Sequence, residues 1–206
     1  MKKLTAILCA MFCLVMGTCA FAETTVKPML PTVQLNPADL ANRDFNIRPV
    51  PMENDASMKM FLYTPVLFTQ ESIAALQVGD ALDLYGRSVT IESLRMDGED
   101  YVINDADTST GFYLHPTEED HQIFAVHTLE DDYTIQYCVG LTEAVFAADF
   151  QFKDFRDIEL EEPVIGDLAA FKAAGETAYF NEDNLTVFFN DKGEISLLCL
   201  YPSPNS

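Results

Sequence analysis

The chain has 206 residues, with 33 Asp and Glu against 12 Lys and Arg, a formal charge of -21 and a hydrophobic share of 49%. That is enough chain to bury a sizeable core without staples, and it is too acidic to present the basic footprint that nucleic acid or an anionic membrane surface requires. Cations and cationic partners remain open, although acids also serve simply to keep a chain in solution.

Residues 1–22 read as a signal peptide. Lys2 and Lys3 precede an apolar run over 4–16 that is too short to span a bilayer, and Ala20 and Ala22 put small residues where a signal peptidase reads them. Cleavage after Ala22 leaves 184 residues from Glu23, and because Lys2 and Lys3 depart with the leader the charge becomes -23. The leader is bacterial in style, so the expected destination is the extracellular space or the cell envelope. Cys19 lacks the setting of a lipid anchor, since Met16-Gly17-Thr18 before it has neither the usual Leu nor the usual small residue. No later stretch is apolar for long enough to make a transmembrane segment.

Residues 23–56 carry Pro28, Pro31, Pro37, Pro49 and Pro51 with little periodic pattern, which reads as an extended arm without a long helix or a central strand. Within it, residues 37–42 predict one helical turn, capped by Asn36 and opened by Pro37. From residue 57 the chain becomes a single domain of short β-branched and aromatic segments broken by Gly, Asp and Asn. Strands are predicted at 58–64, 81–85, 88–96, 101–103, 111–115, 121–129, 133–141 and 144–152, with one or two helical turns at 70–76. A helix over 166–174 stops at Gly175, and a hairpin pairs 185–190 with 194–201 across a turn in which Gly193 takes a positive φ. The fold expected is therefore mainly β, an antiparallel meander, small barrel or sandwich, with one short C-terminal helix and the extended Pro-rich arm.

Motifs that carry chemistry are sparse. Cys9, Cys13 and Cys19 leave with the leader; Cys138 and Cys199 remain, either as a disulfide contributing ~4 kcal/mol or as two buried thiols. His115, His121 and His127 recur every six residues, and along one continuous strand His121 and His127 would stand about 20 Å apart, too far to share an ion. Of the acidic loops, Asn104, Asp105 and Asp107 form the best calcium candidate. The segment fails as an EF-hand, with Thr110 where Gly belongs and Pro116 where Glu belongs, and fails as a phosphatase motif because Ser109 stands where Thr or Val is needed. There is no G-x-S-x-G, no S-x-x-K and no Cys beside a base, the absence of Trp weakens a sugar platform, and the sequon at Asn184 is coincidental in a bacterial setting.

These features predict a secreted or envelope-associated, non-enzymatic binding or interaction protein for a protein or small ligand. The alternative is a small secreted hydrolase using paired carboxylates, or a calcium-supported extracellular module, calcium being the one cofactor implied. A third reading is an envelope component that self-associates through the arm. An enzyme requires a concave pocket in which an acid of raised pKa meets a second polar group; a binding module requires an exposed apolar patch or an unpaired strand edge.

Overall fold

A computed structural model describes residues 24–29 and 35–202. The leader and its cleavage site lie outside the described residues, as do residues 30–34 of the arm. In chain order the elements are β1 (Thr25–Val26), α1 (Pro37–Leu40), β2 (Asp44–Pro49), β3 (Ser57–Pro65), β4 (Leu67–Thr69), α2 (Gln70–Ile73), β5 (Ala81–Asp83), β6 (Ser88–Thr90), β7 (Leu94–Asp97), β8 (Asp100–Ile103), β9 (Phe112–Pro116), β10 (Ile123–Thr128), β11 (Gln136–Asp154), β12 (Val164–Gly166), α3 (Leu168–Gly175), β13 (Leu185–Phe189) and β14 (Ile195–Leu200). The fold is mainly β, and no helix among the described residues is long and apolar enough to cross a membrane.

Five strands close on themselves. β11 runs antiparallel to β3 along its first half and parallel to β14 along its second, and the order β14-β13-β2-β3 completes the ring. The interior is filled from alternate positions, including Phe45, Ile47, Met60, Leu62, Val187 and Leu198. Two strands were expected where β11 runs unbroken: residues 142–144 contain no turn former, and the buried Thr142 and Ala144 simply continue the alternation. The parallel pairings of β11 with β14 and of β1 with β5 likewise depart from an all-antiparallel layout.

β2 corrects the expectation that the Pro-rich segment holds no central strand. It lies between β13 and β3 and buries Phe45 and Ile47. The run between Pro37 and Pro49 is free of proline, and Pro49 falls at the strand's last position, opposite Met60, where a missing N–H costs least. α1 forms as the sequence indicates, with the Asn36 side chain accepting from the Ala38 and Asp39 amides at 3.1 and 3.2 Å and Pro37 opening the turn. Outside the ring, Arg48 clamps β2 to the turn before β13: its guanidinium donates to both carboxylate oxygens of Glu182, at 2.7 and 3.0 Å, and to the Tyr63 hydroxyl.

A second core, built on Phe68, Ile73, Leu82, Ile91, Phe112 and Leu114, lies between the five-stranded sheet β4-β10-β9-β8-β7 and the three-stranded sheet β1-β5-β6. The single strand expected over 88–96 is two strands in two sheets. At the crossing, Asn104 takes the place of a strand neighbour: its Oδ1 accepts from the Glu92 and Ser93 amides and its Nδ2 donates to the Thr90 carbonyl. The two assemblies meet at three mutually bonded backbones. Val66 N–H donates to Ile135 O, Ile135 N–H to Val126 O, and Val126 N–H to Val66 O.

Candidate binding edge

Each of the acidic-loop candidates makes contacts within the protein. Asn104 serves the sheet crossing. Asp105 pairs with Arg95 at 2.7 Å and with Ser93, and the Arg95 bond holds its carboxyl below the ordinary carboxylate value. Asp107 accepts from the Ser109 hydroxyl and amide, which lowers it in the same way. Among the described residues, no three His, Cys, Asp or Glu side chains are grouped so as to hold a metal ion. Both thiols are free, Cys138 exposed and Cys199 buried. Register explains their separation: the β11 partner of Cys199 is Lys153, far along that strand from Cys138.

Strand pairing groups two histidines that linear spacing kept apart. His121 precedes β10 and is exposed beside Glu99, so it shares no strand with His127. His127 pairs across β10 and β9 with Tyr113 and stacks on it at 5.0 Å, with the His115 ring 6.2 Å away. His115 Nδ1 contacts Asp100 at 2.6 Å, while His127 Nδ1 faces Thr134 at 3.4 Å and Asp132 at 3.6 Å. Burial pushes the His127 pKa down against the pull of Asp132, and burial together with the bond to Asp132 pushes the Tyr113 phenol up. An imidazole held below its unfolded value destabilises the fold as pH falls from about 6.5, because the unfolded chain takes up the proton first. His127→Gln is therefore expected to melt with a smaller loss between pH 7 and pH 5 than the parent; equal losses in the two proteins would show that His127 does not carry this dependence.

The acid-based alternative rests on a carboxyl that is reluctant to ionise. Asp183 is such a group, raised first by burial and then by Glu182. It stands on the turn entering β13, where Arg48 opposes the shift.

Sheet edges are where the chain distinguishes itself. The outer side of β4 is occupied by the Met29 amide, which donates to Leu67 O at 2.7 Å. β7 carries Arg95 and Asp97, ion-paired at 2.7 Å, and charge on an edge discourages another strand. β6 is polar, and its Thr90 carbonyl is engaged by Asn104. β12 carries no charged or polar side chain within the strand, and its charges lie in the flanking residues Glu161, Glu162 and Asp167. It pairs with β11 alone, and its sequence is Val-Ile-Gly.

Residues preceding β12 in the chain extend the same character. Ile158, Leu160, Val164 and Ile165 are 82, 50, 56 and 66% exposed, and Ile158 is the most exposed large apolar side chain among the described residues. Interleaved with them are Asp157, Glu159, Glu161, Glu162 and Asp167, with no Lys or Arg over 157–167. Glu159, Glu161 and Glu162 make no ion pair among the described residues. On the α3 side, Val164, Gly166, Phe152, Ala170 and Ala173 line a groove of about 340 Å3. Its floor is low because α3 sits tightly on β12: a Cβ at Gly166 would come 2.4 Å from the Ala170 Cβ. Asp167 caps α3 through the Ala169 and Ala170 amides, and Phe171 anchors it against Phe152 at 5.5 Å. At the groove's end Arg156 is neutralised by Asp154 at 2.7 Å, a bond that lowers the carboxyl and raises the guanidinium.

Sequence reasoning passed over residues 157–165. The signal it offered was the alternation Ile158-Glu159-Leu160-Glu161 ahead of an apolar pair set between Pro163 and Gly166. Comparison with protein-family models, curated proteins and solved structures finds no significant match for this chain.

Proposed function

We propose that this protein is an exported, non-enzymatic interaction module that engages a partner through the β12 edge and the apolar, acid-rimmed surface around it. The observation that carries the reading is the contrast among edges: β4 and β7 are covered or charged, whereas β12 presents exposed Val164 and Ile165, a few residues along the chain from exposed Ile158 and Leu160. An unpaired strand edge that carries exposed apolar side chains is the kind of surface at which another chain docks. The acids around the patch keep the unoccupied edge soluble and bias which partners approach it. Export follows from the basic start, short apolar run and small residues of 1–22.

The test compares the mature chain from Glu23 with an Ile158→Ser/Ile165→Ser variant, each immobilised and exposed to the envelope and secreted fractions of its own cells. A partner retained by the parent and lost by the variant, both melting alike, is the expected result. Identical retention on both would overturn the edge reading, and turnover of ester, phosphate or glycoside substrates above the blank would overturn the non-enzymatic one.

A further inference from the structure

We infer that the occupant of β12 is an extended, basic segment of a partner protein, added to the sheet as a further strand, with Lys or Arg side chains reaching Glu159, Glu161 and Glu162. This rests on the interaction reading above and names the partner's chemistry.

Three observations converge on that occupant. β12 offers its free side as backbone, and backbone pairing is satisfied by another extended chain and not by a compact ligand. Because β12 spans only Val164–Gly166, few main-chain bonds are available, so side chains must supply much of the affinity. Alternate residues of an added strand project to opposite faces: one set falls on the α3 side over the groove of Val164, Ala170 and Ala173, the other beside the exposed Ile165.

Charge then selects among extended chains. Glu161 and Glu162 precede β12 by two or three residues, within about one Debye length of any strand laid along it. A second copy of this chain would bring the same five acids of 157–167 against their own counterparts, with the mature chains' formal charges of -23 opposed as well. Acidic peptides and anionic lipid meet the same repulsion, offset only by Lys153 opposite Ile165 on β11, whereas Lys or Arg reaching the glutamates turns it into attraction.

The experiment uses labelled nine-residue peptides alternating Lys with Val, the same pattern with Glu for Lys, and the Lys peptide with two central Val residues replaced by Pro. These are titrated against the mature chain and against Glu161→Lys/Glu162→Lys, whose side chains are exposed and hold nothing in place. The Lys peptide is expected to bind, to weaken steeply with salt, and to lose about tenfold in affinity on the double reversal. The Glu and Pro peptides are expected not to bind. Equal binding of the Lys and Pro peptides would mean diffuse attraction to an acidic surface and would overturn the inference, as would indifference to the charge reversal. If capture by the native edge persists while the Lys peptide fails, the inference falls and the interaction reading stands; if both fail, both fall.

Discussion

Gly193→Ala is expected to destabilise the protein by about 3 kcal/mol and to lower its melting temperature by about 10 °C. Two causes add. Gly193 sits at φ +74 in the turn between β13 and β14, a conformation that a Cβ disfavours by about 1 kcal/mol or more. The added Cβ would also stand 2.4 Å from the Pro37 carbonyl oxygen and 2.7 Å from its Cα. These are backbone atoms, so no rotamer change relieves the contact. α1 cannot simply withdraw, because the Asn42 amide donates to Asn190 O at 3.1 Å and the Phe189 amide to Arg43 O at 2.9 Å, tying the chain that leaves α1 to the hairpin. Gly98→Ala provides the control, being at φ +62 with nothing within 4 Å of the added carbon. If Gly193→Ala melts no lower than Gly98→Ala, the close packing of α1 on the hairpin is wrong.

Asn104→Ala is the second large effect, about 2 to 3 kcal/mol. The substitution removes three side-chain hydrogen bonds to backbone, at 2.7, 3.2 and 2.9 Å, all serving the segment where the chain leaves β6 for β7. It also places Ala at φ 55, a left-handed conformation that Asn tolerates better. Ile91, fully buried at the crossing, is positioned by the same turn, so the loss is felt in the second core. Asn104→Asp keeps the acceptor, gives up the donor to Thr90 and should fall between. The role is separable from calcium binding. A hydrogen-bonding role costs stability in calcium-free buffer, whereas a ligand role costs it only when calcium is present; a loss confined to calcium-containing buffer would contradict the crossing role described above.

Local grammar was readable where local energetics decide the outcome. The cap of Asn36 on Pro37–Leu40, a helical turn within 70–76, found at Gln70–Ile73, and the β13–β14 hairpin with Gly193 at positive φ all lie within a few residues of their cause. Where partners are distant in sequence, the reading failed. β2 looked forbidden among prolines, and it forms because Phe45 and Ile47 fill the ring between β13 and β3. β6 and β7 looked like one strand because the separating group, the Asn104 side chain, arrives from more than ten residues away. The candidate site was the least legible part. An edge is a statement about which strands are missing beside it, and nothing in Val164-Ile165-Gly166 records that β12 ends the sheet order and pairs with β11 alone. The His115–His127 grouping was hidden likewise, since it depends on the register of β9 against β10.

The most direct measurement is amide hydrogen exchange across β12 in the mature chain, alone and with the Lys-alternating peptide. Alone, the β12 amides that do not bond to β11 should exchange quickly while those of β13 stay protected; with the peptide, the same β12 amides should slow markedly and the β7 edge should not change. Slow exchange on the outer side of β12 before any peptide is added, or protection appearing at β7 and not at β12, would contradict an open edge built to receive a strand.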